Sequence, residues 1–131
     1  MPTANTDVVR AYVEAMNAGD AQRLRALFAP DAEIWGVLGS AGIEVALPVW
    51  RELHEALAMH LTVEAIAAEG NVVAVRYTER GRAQAPFRGQ PATGRSYELL
   101  AMEWFELKDG RIQRRWGARD SAAQARQLGW S

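Results

Sequence analysis

The chain has no cysteine, only two histidines and almost no excess charge, with a formal net charge of -1 over 131 residues. Without thiols there is no disulfide framework, no thiolate zinc site and no cysteine nucleophile, a composition that fits a reducing compartment. His54 and His60 form neither an H-x-x-x-H nor an H-x-H spacing, so no metal site built by the protein is expected. Acids and bases nearly cancel, which removes the overall field that would select nucleic acid or an anionic membrane. The start "MPTANTDVVR" lacks an apolar segment behind a basic head, and no apolar run is long enough to span a bilayer. There is no G-x-G-x-x-G, Walker or G-x-S-x-G motif, which leaves nucleotide binding and a serine nucleophile without support. The expectation is a soluble cytoplasmic protein that binds neither nucleic acid nor membrane, with a small molecule or another protein as its partner.

What is present is enough apolar side chain, 49% of residues, to build a core within one domain covering residues 1–131. In "TDVVRAYVEAMNAGD" the residues Val9, Tyr12, Val13 and Met16 recur at helical spacing, with Thr6 as a possible cap and Gly19 as a stop. Asp20 offers the next cap, and Leu24, Leu27 and Phe28 form a shorter stripe ending at a turn around Pro30. A third helix is expected from Pro48, with Trp50, Leu53, His54 and Leu57 on one side. After His60 the period changes to two. "LTVEAIAAEGN" and "VVAVRYTERGR" read as a hairpin, as do "SYELLAMEWFEL" and "RIQRRWGARD" around Asp109-Gly110. The segment "AQAPFRGQPATG" between the hairpins reads as a loop, and "SAAQARQLGW" as a final helical turn. Helices followed by an antiparallel sheet give an α+β fold, with one sheet face on the helices and a pocket between the layers.

Asp120 is the leading candidate for chemistry. Strict alternation along "RIQRRWGARD" puts Ile112, Arg114, Trp116, Ala118 and Asp120 on one face, the more apolar one, so Asp120 is expected to point inward beside Trp116. Burial there would raise its pKa and suit it to general acid/base work. An equally good reading makes it the N-cap of the final helix. Tyr77, Glu79 and Ala83 share one strand face, with Arg76 on the other. Glu103 alternates with Ala101 and Phe105, while Met102 and Trp104 face oppositely, and both faces are apolar enough that either could meet a ligand or another subunit. The five tryptophans supply flat surfaces that suit a polycyclic or aromatic ligand, though such residues also serve cores and interfaces. Trp35, Trp50, Trp104 and Trp116, with Met102 and His54, are the expected substrate contacts.

The order "HLTVEAIAAEGNVVAVRYTERGR", "FRGQPATGRSYELLAMEWFELKDGRIQRRW", Asp120 and "RQLG" resembles the SnoaL-like polyketide cyclases of the nuclear transport factor 2 and ketosteroid isomerase superfamily. The resemblance implies a cone-shaped α+β barrel, helices on a strongly curved, mostly antiparallel sheet, and a homodimer or homotetramer. It also implies intramolecular aldol ring closure with Asp120 as acid/base and with no metal or organic cofactor. One departure narrows this. The family commonly carries a histidine where this chain has Ala83, so Tyr77 or another pocket residue takes that part, or the reaction differs. The expected function is a cyclase of polyketide-type secondary metabolism. The alternatives are an epoxide-opening, ether-forming or hydroxylating relative, and a ligand-binding domain without turnover.

Overall fold

The computed structural model describes residues 4–36 and 39–130. Helix α1 (Asn5–Ala18) buries Val9, Tyr12, Val13 and Met16 and ends on Gly19, whose left-handed backbone (φ 67°) lets its N–H reach back to the last turn. Its N-cap is Ala4, so Thr6 lies inside the first turn and is not the cap. Asp20 accepts the Arg23 N–H and caps α2 (Ala21–Leu27), as its sequence position suggests.

Phe28 does not extend that helix. It opens strand β1 (Phe28–Gly36), which alternation read across the "APDA" turn did not reveal, and β2 (Gly39–Ala41) pairs with it. Helix α3 (Ile43–Leu57) begins five residues before Pro48 and is capped by Gly42. Pro48 therefore lies inside α3, where its missing N–H leaves one turn of the ladder without a donor, and is not its first-turn residue. The expected hairpins are present as β3 (His60–Glu69) with β4 (Val72–Arg82), and β5 (Ser96–Lys108) with β6 (Arg111–Arg119). Helix α4 (Ser121–Leu128) closes the chain.

The six strands form one open sheet in the order β2-β1-β6-β5-β4-β3, antiparallel throughout except for the β1/β6 pair. This is α+β architecture, with the core between the inner sheet face and α1, α3 and α4. Tyr12 stands at its centre, edge-on to Phe28, Trp50 and Phe105 with ring centroids 5.1–6.0 Å away.

One irregularity decides what faces inward. Between Ile112 and Arg114, β6 carries an extra residue, Gln113, opposite a single step from Leu107 to Glu106 on β5. A bulge of one residue reverses the parity of everything after it. From there Arg115, Gly117 and Arg119 lie in register with the inward Phe105, Glu103 and Ala101, whereas Arg114, Trp116 and Ala118 point outward. The expectation that Trp116 and Asp120 turn inward is thereby corrected.

Glycine is required where Tyr97 crosses β4. A Cβ on Gly81 would stand 2.4 Å from the Tyr97 ring and 2.5 Å from the Leu57 carbonyl oxygen. Gly81→Ala is expected to lower stability by about 1–3 kcal/mol through overpacking, measured by urea unfolding, with the slope of the transition unchanged.

Candidate functional site

Between the inner sheet face and α3 lies a cavity of about 480 Å³, a size that suits a small organic ligand. Its wall is mostly apolar: Met16 from α1, Val49, Trp50 and Leu53 from α3, and Ile34 from β1. Phe87 and Arg88, from the loop after β4, border it as well. Two polar clusters are set into this wall.

The first is built around Glu103 on the central strand β5, which is buried. Its Oε2 accepts the Tyr12 hydroxyl at 2.8 Å and the Arg115 Nε–H at 2.5 Å. Arg115 also donates to the Trp35 carbonyl at 3.1 Å and lies over the Trp50 ring. The guanidinium has room because Gly117 has no side chain, and a Cβ there would meet it at 2.5 Å. Glu103 Oε1 and the Tyr77 hydroxyl are buried and have no hydrogen-bond partner among the described residues. Burial, then the nearby Glu103 charge, pushes the Tyr77 hydroxyl far above the ordinary tyrosine range, and the same two causes act on Tyr12. Both phenols therefore stay protonated, and Tyr12 donates to Glu103.

The second cluster is centred on Glu79 of β4, which is 2% exposed. Arg119 grips its carboxylate with two N–H groups, the Nε contact being 3.0 Å, and the Tyr97 hydroxyl donates to it at 2.6 Å. Arg119 also donates to Gln124 of α4 at 3.2 Å. Burial and the Glu79 charge raise the Tyr97 pKa as well.

The family model of the SnoaL-like domain matches residues 9–115. This chain belongs to the SnoaL-like family. IdmH of Streptomyces antibioticus, described as a candidate polyketide cyclase, is 32% identical, with 97% of this chain and 99% of that one covered at a TM-score of 0.87. A candidate polyketide cyclase of Xanthomonas campestris pv. campestris is 25% identical over 95% of this chain and 96% of that one, also at 0.87. AclR of Streptomyces galilaeus, described as a candidate hydroxylase, shares the fold at 21% identity and a TM-score of 0.86, covering 95% of this chain and 84% of that one. No curated protein matches the chain.

Set on this SnoaL-like frame, the residues singled out from the sequence separate into groups. Tyr77 and Trp50 line the cavity and are buried. Met102 touches its wall from an outward register position and is 47% exposed. Trp35, Trp104 and Trp116 lie side by side across β1, β6 and β5 on the outer sheet face, away from the cavity wall. His54 packs its ring against Gly19 at the end of α1 and does not line the cavity. Asp120 is exposed and accepts the Ala123 N–H at 3.0 Å, so of its two readings the structure displays the helix cap. Ala83 is fully buried. Among the described residues no group of three metal-ligating side chains occurs, and no helix is long and apolar enough to cross a membrane.

Pattern alone does not single out Arg115, Arg119 or Tyr12 as site residues, nor the pairing of Glu79, whereas an acid at 103, solvent-facing or paired, is within its reach. The signal for the arginines was the pair Arg115 and Arg119 flanking Gly117, but strict alternation assigned them to solvent.

The unpartnered Tyr77 hydroxyl contributes no hydrogen bond to the fold, in contrast to that of Tyr97. Tyr77→Phe is expected to leave thermal stability unchanged or slightly raised, while Tyr97→Phe lowers it by about 1–3 kcal/mol, because Glu79 loses a donor in a buried site. Differential scanning calorimetry of the two variants checks the contrast.

Proposed function

We propose that this SnoaL-like chain is a cofactor-independent cyclase of polyketide-type substrates, closing a ring by general acid/base catalysis at Glu103 and Tyr77. The observation that carries this reading is the pair of buried, unpartnered atoms, Glu103 Oε1 and the Tyr77 hydroxyl, on residues lining an apolar cavity. In an aldol closure, a C–H proton beside a carbonyl passes to Glu103 Oε1. The resulting enolate carbon attacks a second carbonyl of the same molecule, forming the C–C bond. The new alkoxide then takes the proton back from Glu103. Tyr77, kept protonated by its surroundings, donates a hydrogen bond to whichever oxygen carries the developing charge. Arg115 and Tyr12 hold the carboxylate through Oε2, which leaves Oε1 for the substrate. The apolar wall excludes water and accepts the substrate's hydrocarbon surface.

In this reading Asp120 serves α4, and the acid/base role moves to the cavity. With a panel of poly-β-ketone thioesters, Glu103→Gln is expected to slow ring closure by about 10²–10⁴-fold, and Asp120→Asn to leave it within a few-fold of wild type. Full turnover by Glu103→Gln would overturn the assignment, as would loss of turnover in a folded Asp120→Asn.

The outer sheet face supports a homodimer. Trp35, Leu100, Met102 and Trp104 are each 40–52% exposed, and Trp116 lies in register between Trp35 and Trp104. A contiguous apolar surface of this kind is characteristic of an interaction site. Trp104→Glu is expected to convert the dimer to a monomer in sedimentation velocity, with the far-ultraviolet circular dichroism unchanged.

A further inference from the structure

The two polar clusters of the cavity differ in what they leave open. At the first, Glu103 keeps an unoccupied acceptor, Oε1. At the second, both carboxylate oxygens of Glu79 are engaged, Oε1 by Arg119 and Oε2 by Arg119 and Tyr97. Protein donors therefore hold the Glu79 carboxylate at both of its oxygens. Arg119 is placed differently. Of the five N–H groups of a guanidinium, three are committed, two to Glu79 and one to Gln124, leaving two without an acceptor among the described residues. Its side chain is 23% exposed and borders the cavity.

Glu79 and Tyr97 thus hold a donor fork at the cavity wall, while the buried, unpartnered Oε1 of Glu103 belongs to another residue of the same wall. Their separation follows from the ladder. Glu103 pairs with Val75, and Glu79 lies four residues further along the same strand, roughly 13 Å at the rise of a β-strand. The charge of Arg119 is matched by Glu79 at contact distance, so this end of the cavity is close to neutral. Such a site favours a neutral oxygen acceptor over a free anion, which the Glu79 charge would repel.

Resting on the cyclase reading of this cavity, we propose that Arg119 is a specificity residue that binds a neutral carbonyl oxygen at the far end of the substrate. The substrate is then read at two stations: a proton-donating end faces Glu103, and a ketone, ester or amide carbonyl faces Arg119. A ligand bound in this way has its polar groups at opposite ends of an apolar body about two or three fused rings long. Orientation follows from the asymmetry, because a carbonyl meets N–H donors at Arg119, whereas at Glu103 Oε1 it would meet a lone pair.

Binding tests this without turnover. The probes are 6-acetyl-2-naphthol, with a hydroxyl at one end and a ketone at the other, and 6-ethyl-2-naphthol, which lacks the distal acceptor. Isothermal titration of the wild-type protein is expected to show the ketone binding about ten-fold more tightly. In the neutral pair variant Glu79→Gln/Arg119→Met that preference is expected to fall to within two-fold. Arg119→Lys, which keeps the charge next to Glu79 but loses the fork, is the second variant and should also reduce the preference. An equal affinity of the wild type for both probes would overturn the proposal, as would a preference that survives in both variants. The outcome is separable from that for catalysis. If Glu103→Gln keeps full turnover while the ketone preference depends on Arg119, the reaction assignment fails and the specificity assignment stands.

Discussion

The extra residue at Gln113 is the constraint on which the site depends. A β-strand offers its side chains alternately to two faces, and in this sheet one face meets the helices while the other is open. By adding one residue between Ile112 and Arg114, β6 keeps Ile112 in the core and still turns Arg115 and Arg119 toward the cavity. Without that step the two guanidinium groups would lie outside, and Trp116 would occupy the space in which Arg115 meets Glu103. The bulge also accounts for Gly117, the inward residue between the arginines, which leaves the volume filled by the Arg115 guanidinium.

Turning arginines inward has an energetic consequence. A guanidinium taken out of water is costly unless a carboxylate meets it with good geometry and the remaining lone pairs find donors. Both clusters satisfy this in the same way, one carboxylate from the neighbouring strands and one phenol each: Glu103 with Tyr12, Glu79 with Tyr97. The phenols are kept protonated by burial and by the carboxylates they serve. Such pairs add little net stability relative to an apolar core, but removing one partner leaves a buried charge exposed to nothing that compensates it. They fix the position of polar groups inside a wall that is otherwise mostly hydrocarbon.

Membership of the SnoaL-like family and the fold shared with candidate polyketide cyclases agree with an enzyme-like cavity between helices and sheet. The details belong to this chain. Where the resemblance led to a histidine, Ala83 is buried, and where it led to an aspartate as acid/base, Asp120 caps α4. The unpartnered polar atoms lie instead on β4 and β5, at Tyr77 and Glu103. The polar side chains of the two clusters that border the cavity of this chain thus come from α1, β4, β5 and β6, not from the position near the C-terminus.

Local pattern was enough for much of the architecture. The helical faces of α1 and α3, the Asp20 cap, the glycine stop at Gly19 and the two hairpins with their tight turns each follow from interactions within a few residues. For the same reason they were legible in the sequence, as were the shared face of Tyr77 and Glu79 and the apolar character of both faces of β5. Strand β1 was hidden because its pairing is with β6, more than seventy residues away, and its Pro30 suggests a turn. The inward arginines were hidden because a single bulge, set by how β6 must pair with β5, reverses an alternation that sequence alone can only extend. The residue types available to the site were therefore determined by the sequence, while which of them entered the cavity was decided by strand register, a property of the assembled sheet.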